Sequence, residues 1–436
     1  MEIRRGGDPV KLDEDGFFGT LLAIEGISDT RAVMNGPTGC RGNPAYFSDR
    51  HFPRDNSLNR RSFEELFFFG QSRIPCTYLD SDDYIHGSTE KLREILPIIA
   101  EKGDSFMAIV NSPGASLIGD DLNRFLKEAG LEDICMAFED AAYSKPLPEG
   151  FDEAMLAILK WLRLNRLPKS KKRVNLLGFS IYQKYWKGNI AELTRLCGLM
   201  GLSVVSTPGA GSDTAMLRES STASFNIIIY PEYARRTAAW YESELGIPPV
   251  YSPEGAPVGF DATETWIREV AGATGCDPAP ALEEIRRKRT VAYHQISRFF
   301  NEAGYPKGTS FGVRADSSFA FPLVKWLYEY LGMLPVSVDL MPGEDRGTTE
   351  KMTGFLKSKD LNGAFGADPV NAIPDFYFSD GLSGNHLLHL GKCRHSVELF
   401  NRMSGETEFI QKAFLGGEGA LYILEIIFNK LREYSQ

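Results

Sequence analysis

Cysteine and histidine are scarce in this chain, six of each in 436 residues, and they are scattered. No two cysteines form a CxxC pair and no short Cys/His cluster occurs, which excludes a self-contained zinc or ferredoxin site. Six separate thiols also argue against a disulfide framework. No segment reaches the roughly 18 uninterrupted apolar residues of a membrane span. The start, Met1-Glu2-Ile3-Arg4-Arg5-Gly6-Gly7-Asp8-Pro9, lacks the apolar middle of a signal peptide, so a cytoplasmic protein is expected. Basic charge is short as well: 48 Lys and Arg stand against 58 Asp and Glu, a formal net charge of −10. A broad nucleic-acid surface would need a basic stripe. The densest basic run, Lys169-Ser170-Lys171-Lys172-Arg173, precedes an apolar strand and reads as a solvated linker. Neither GxGxxG nor a Walker A loop is present, and there are no fixed-period repeats.

What is present is a chain too long for one core, with a normal apolar share of 43 %. Short β-rich runs alternate with amphipathic stretches, the pattern of βαβ units and parallel sheets. The runs predict strands at 31–35, 74–79, 105–111 and 134–139, then 174–179, 203–206 and 225–230, then 309–314, 335–339, 363–366 and 375–378. Helices are expected at 188–200, 232–245, 317–331 and 420–431, with a charged helix joining two regions over 279–304. The expected fold is α/β: three Rossmann-like domains with parallel sheets flanked by helices. The boundaries are 1–170, 171–278 and 279–436, with a closing helix, 419–434, packed on the first domain. Cys135 and Cys197 stand in apolar runs and read as small buried hydrophobes.

Two other cysteines stand at turns. Ala32-Val33-Met34-Asn35-Gly36-Pro37-Thr38-Gly39-Cys40 is an apolar run entering a tight turn with a thiol at its tip. Arg73-Ile74-Pro75-Cys76-Thr77-Tyr78-Leu79-Asp80 leads into Asp82-Asp83-Tyr84-Ile85-His86-Gly87-Ser88-Thr89-Glu90. A third segment reads Ala108-Ile109-Val110-Asn111-Ser112-Pro113-Gly114-Ala115. Thiolates are soft ligands suited to iron–sulfur clusters, and glycine lets backbone approach a cluster closely. A buried turn cysteine is the plainer alternative for each. Phe67-Phe68-Phe69-Gly70 could shield a cluster from water or belong to the core.

In this order the three segments resemble the amino-terminal part of the nitrogenase component 1 superfamily. Similar turns recur at Leu177-Gly178-Phe179-Ser180, Gly209-Ala210-Gly211-Ser212, Leu245-Gly246-Ile247-Pro248 and Phe414-Leu415-Gly416-Gly417-Glu418-Gly419, so the likeness runs along nearly the whole chain. It implies three α/β domains and a bridging [4Fe–4S] cluster held by Cys40 and Cys76, with Gly39 beside it. The third segment carries Ser112 where a cysteine would stand. One chain then offers two thiolates, and a homodimer sharing the cluster across its interface would offer four. A heteromeric component 1 partner bringing more cysteines is the other solution, and Ser112 as an oxygen ligand a third. The resemblance also implies a separate nitrogenase-reductase-like ATPase that docks near Gly119-Asp120-Asp121-Leu122, with no nucleotide bound by this chain. That last segment reads equally as a plain helix cap. Gly209-Ala210-Gly211-Ser212-Asp213 could cradle an anion at a helix amino terminus.

In the family a cysteine and a histidine hold the metal cofactor of true nitrogenase. Here those positions fall on Tyr230 and near Glu406, which implies neither an iron–molybdenum type cofactor nor nitrogen reduction. Ligands of open α/β sheets sit beyond the carboxyl ends of strands. Those ends carry Tyr182, Lys184, Tyr185, Trp186, Tyr230, Glu232, Arg314, Asp316, His386 and His389. From these, Tyr182, Lys184, Tyr230 and Arg314 are expected to bind substrate. Asp316, Glu232 and His386 are candidate proton donors, since burial raises carboxyl pKa values. Aromatic walls with a few charges suit a flat conjugated molecule carrying carboxylates, tetrapyrrole-like or sulfur-containing. The reading is the catalytic component of a two-component, ATP-dependent reductase acting on a small molecule. A cofactor-assembly scaffold and a degenerate structural subunit are the alternatives.

Overall fold

A computed structural model describes residues 13–53, 73–101, 103–303, 306–401 and 405–432. Among these residues eleven strands form three all-parallel sheets. The first holds β1 (Thr30–Asn35), β2 (Phe106–Asn111) and β3 (Cys135–Phe138) in that order. The second runs β5-β4-β6-β7, built from β4 (Ser170–Leu177), β5 (Ser203–Ser206), β6 (Ala223–Ile228) and β7 (Pro249–Tyr251). The third runs β11-β10-β8-β9, from β8 (Ser310–Ala315), β9 (Leu334–Leu340), β10 (Phe376–Asp380) and β11 (His395–Phe400). β1 and β2 are buried along their whole lengths, as near-continuous apolar strands covered on both faces must be.

Aspartates start many of the helices. Asp15, Asp80, Asp121, Asp213, Asp345 and Asp380 each accept a backbone N–H of the first turn, satisfying donors that a helix start leaves free. Asp121 is thus the cap its sequence suggests. Gly246, Gly275 and Gly332 end helices in the left-handed conformation.

The expected strand at 74–79 forms only a single bridge, Cys76 to Met34. Pro75 has no N–H for a ladder, and Tyr78 turns left-handed with φ of 55°. The stretch 363–366 is a 3-10 turn with one bridge to β9. β7 and β11 lie outside the expected strands; β7 is only three residues long. The closing helix, Gly416–Arg432, packs on the helices Trp186–Leu199, Gly259–Thr274 and Ala279–Ala303 rather than on the first sheet. Its inward face of Ala420, Ile423, Leu424 and Ile427 meets their apolar faces.

Strand order reverses between β4 and β6 and between β8 and β10, and the carboxyl ends at such reversals leave crevices. Residues 178–185, 229–233 and 316–318 emerge there. Gly178 makes the first of these ends possible. Its φ is +93°, and a Cβ would lie 2.2 Å from the Tyr230 carbonyl oxygen. Gly178→Ala should therefore cost about 1–3 kcal/mol by overpacking, plus left-handed strain. A fall in urea midpoint at unchanged slope would record it; an unaltered midpoint would mean that the β4–β6 end yields freely.

Candidate functional site

β1 and β2 end in register, with Asn35 opposite Asn111. Both are buried, and the Asn35 amide donates to Asn111 Oδ1 (2.8 Å) and to Ser88 Oγ (2.9 Å). Its own Oδ1 accepts from Thr77 Oγ1 at 3.0 Å. Ser88 Oγ donates onward to Asp120 at 2.7 Å. One amide thus ties together the three segments that carry Cys40, Cys76 and Ser112.

The helix Thr38–His51 starts just beyond β1, and Cys40 sits half-buried in its first turn. Cys76 is 3 % exposed and donates to the Gly36 carbonyl at 2.9 Å, while the Tyr78 N–H points at its sulfur from 3.4 Å. Ser112 packs on Gly36, where a Cβ would stand 2.5 Å from its hydroxyl oxygen, so only glycine fits. The neighbouring Ser112 hydroxyl pulls the pKa of the Cys40 thiol and of the Tyr84 hydroxyl down, against the larger effect of burial. Gly39 faces open space. Burial pushes both thiols up; Asp15 adds to this at Cys40, and Cys40 itself at Cys76, where Arg41 pulls down. Phe67, Phe68, Phe69 and Gly70 lie outside the described residues.

The corner faces solvent through an apolar rim. Tyr78, Tyr84, Ile85 and Leu117 are 50 %, 37 %, 74 % and 86 % exposed. Arg41 braces this rim, donating to the Tyr78 hydroxyl at 2.7 Å with its guanidinium over the ring. A cluster of exposed apolar side chains marks a contact surface. Tyr78, Tyr84 and Arg41 are absent from the sequence-derived candidates, although each stands within or beside one of the two cysteine segments.

The strand-end residues divide differently from expectation. Tyr182 and Tyr230 are fully buried, Tyr182 stacked on Phe400 with ring centroids 5.5 Å apart and Tyr230 edge-on to Phe179. Glu232 and Asp316 form a buried acid pair where the second sheet meets the third. Glu232 accepts from Ser318 N (2.8 Å), Ser318 Oγ (2.7 Å) and the Ser317 hydroxyl. Burial and the Glu232 charge push Asp316 well above the usual carboxylate range, and burial raises Glu232 too. Beside Asp316, Tyr230 and Lys184 only about 10 Å³ of space remains, enough for one water. No flat macrocycle fits between these side chains. Arg314 is committed to Asp339 (2.9 Å) and Asp13. His386 is exposed on the helix Gly381–His389, and nothing described joins it to the acid pair. The glycine turn at 209–211 is packing rather than an anion cradle: the Gly211 N–H is spent on the Gly26 carbonyl at 2.7 Å.

Of the residues expected to bind substrate, Lys184 alone lines a larger space. Its ammonium is 1 % exposed and binds Glu398 Oε2 (3.1 Å), the Glu406 carbonyl (2.9 Å) and Glu408 Oε1 (3.3 Å). It thereby stands between Tyr230 and Glu406, the two positions that the resemblance marks. On its outer side a pocket of about 220 Å³ opens, walled by His51, Trp186, Asn401 and Glu408. His51 ends the same helix whose first turn carries Cys40. Eleven residues at about 1.5 Å each put roughly 16 Å of helix between thiol and pocket. Pro44 removes the N–H that the Cys40 carbonyl would otherwise accept. Among the described residues no three His, Cys, Asp or Glu side chains converge as a metal site.

His51 supplies a pH signature. Burial, then Lys184, Arg50 and Lys187, lower its pKa from 6.5 to about 3. The unfolded chain takes up this proton first, so the stability is present above pH 6.5 and lost as pH falls towards 3. The contribution is on the order of 5 kcal/mol. His51→Gln should flatten the decline in urea midpoint between pH 6.5 and 3.5; a decline parallel to wild type would refute the buried neutral imidazole.

Residues 16–370 match a family model described as nitrogenase component 1 type oxidoreductase. A light-independent protochlorophyllide reductase subunit of Rhodopseudomonas palustris (strain TIE-1) is 29 % identical over 201 residues, 44 % of this chain and 37 % of that protein. Its counterpart of the same name in Parasynechococcus marenigrum (strain WH8102) is 27 % identical over 305 residues, 66 % of this chain and 56 % of that one. The matched stretches thus span 37 % and 56 % of these relatives' own lengths. A solved structure of "Nitrogenase Cp1 at pH 6.5" shares the fold, with a TM-score of 0.77 at 16 % identity over 99 % of this chain and 95 % of the other. With its three parallel sheets and its match over residues 16–370, the chain belongs to the nitrogenase component 1 type oxidoreductase family.

Proposed function

We propose that this chain is the catalytic component of a nitrogenase-like, ATP-dependent two-component reductase. It takes electrons from a separate reductase partner and delivers them to a small molecule in the Lys184 pocket. The observation that carries the reading is the convergence of Cys40 and Cys76 on one corner beside an exposed apolar rim. Two adjacent thiols fit half of the four-thiolate ligand set of a [4Fe–4S] cluster. A second copy, related by a two-fold axis through the corner, supplies the other half. A cluster bound there supplies one-electron storage and transfer.

The residues of the chain do the rest. Gly36 leaves the room that Ser112 occupies, and Gly39 faces open space one residue before Cys40. Tyr78 turns its N–H onto Cys76 and so favours the thiolate over the thiol. Tyr84, Ile85 and Leu117 exclude water once the partner copy covers them. Lys184, His51 and Glu408 bind and orient the substrate. The acid pair Glu232 and Asp316 holds protons behind Lys184. The division into units 1–170, 171–278 and 279–436 belongs to the same proposal, since each stretch holds one sheet but for Ser170, the first residue of β4.

Anaerobic purification with iron and sulfide quantitation and EPR tests this. Wild type should carry about four irons per dimer, and Cys76→Ala should carry none while keeping its far-UV circular dichroism. Iron-free wild type from properly anaerobic cells would overturn the electron-relay reading.

A further inference from the structure

Asp316 stands at the start of the helix Ser317–Leu331, where aspartates such as Asp213 and Asp345 cap other helices, yet its side chain caps nothing. The cap comes instead from the second sheet. Glu232, just beyond β6, accepts the Ser318 N–H at 2.8 Å together with the Ser317 and Ser318 hydroxyls. Ser317 Oγ in turn accepts the Asp345 N–H at 2.8 Å. Glu232 is thereby tied to the starts of two helices of the third sheet, Ser317–Leu331 and Arg346–Ser358.

Asp316 is left with little. Its Oδ2 is buried without a hydrogen-bond partner, and the Tyr233 hydroxyl lies 3.5 Å from Oδ1, too far for a strong bond. Two carboxyls thus compete for one helix start, whose dipole stabilises a negative charge. The carboxyl with three donors carries the charge, and the one left aside keeps a proton. Burial pushes both acids up, and the Glu232 charge pushes Asp316 further. The other titratable groups around Asp316 are Tyr230 and Tyr233 from beyond β6, with Tyr182 behind them, and Lys184 from beyond β4. Lys184 is committed to Glu398, Glu406 and Glu408. β11 offers only Leu399 and Phe400 there, and Asp345 is reached through Ser317.

We infer that Glu232 and Asp316 form a proton-coupled latch between the second and third sheets. With Asp316 protonated, Glu232 caps the helix Ser317–Leu331 and the latch is shut. When the proton leaves to solvent water, the Asp316 carboxylate turns onto its own Ser318 N–H, as an N-cap aspartate does. Glu232 is then released, and residues 229–233 part from 316–318, in the crevice behind Lys184. The latch depends neither on the cluster nor on what fills the Lys184 pocket. Its shut form binds one proton more than its open form. The shut form is therefore fully favoured at low pH and loses about tenfold per pH unit above the usual carboxylate range, until the raised Asp316 value is reached.

Hydrogen exchange of the whole chain, read by mass spectrometry, tests this. After correction for the intrinsic rate, protection at 229–233 and 317–320 should fall about tenfold per unit between about pH 5 and 7. Asp316→Asn cannot ionise and should remove the decline. Glu232→Gln keeps an acceptor for Ser318 but removes the opposing charge, so the decline should end at a lower pH. Protection that changes by less than about twofold per unit in wild type would overturn the latch. So would a decline that survives Asp316→Asn or, should that variant not fold, one that Glu232→Gln leaves unmoved.

Discussion

The Asn35 side chain is the interaction on which the first third of the molecule depends. It joins β1 to β2 through Asn111, to the Ser88 turn, and to Thr77. Buried amides are tolerated only when satisfied, and this one is satisfied by groups from three separate segments. The positions of Cys40, Cys76 and Ser112 are therefore consequences of one hydrogen-bond network rather than three independent loop conformations. Gly36 and Pro37 follow Asn35 directly, so the turn into the Thr38–His51 helix starts from a fixed point.

At the far end of the Thr38–His51 helix a buried lysine plays the organising part. Lys184 leaves the carboxyl end of β4 and is held by β11 through Glu398 and by the following loop through Glu406 and Glu408. An ammonium at 1 % exposure is tolerable only with such a ring of acceptors. The ring also closes the crevice between the second and third sheets. Aromatic rings of Tyr182, Tyr230 and Phe400 fill the space behind it. The pocket that remains is shifted outward, towards the first-sheet helix that ends in His51.

The periodicities of the chain revealed most of the architecture, because parallel strands buried on both faces leave long apolar runs between amphipathic helices. The failures have local causes. The 74–79 run has β-rich composition, but Pro75 and the left-handed Tyr78 prevent a ladder. β7 is too short to show a pattern. At the site, Cys40 and Cys76 were legible because thiols at glycine and proline turns are chemically distinctive. The pocket was only partly legible. Lys184 was visible at a strand end, but Tyr182, Tyr230 and Arg314 stood there too, and sequence does not tell a wall from a filling. His51 was invisible, since, apart from the adjacent Arg50, the residues that share its pocket are 133 or more residues away in the chain, beginning at Lys184.

The helix Thr38–His51 carries a thiol at its first turn and an imidazole at its last. The two centres are consequently phased as well as spaced. Adding or deleting one residue between them would swing His51 by about 100° around the axis and shift it by about 1.5 Å. In the proposed relay its length is therefore fixed: a change of length that keeps both centres in phase comes in whole turns.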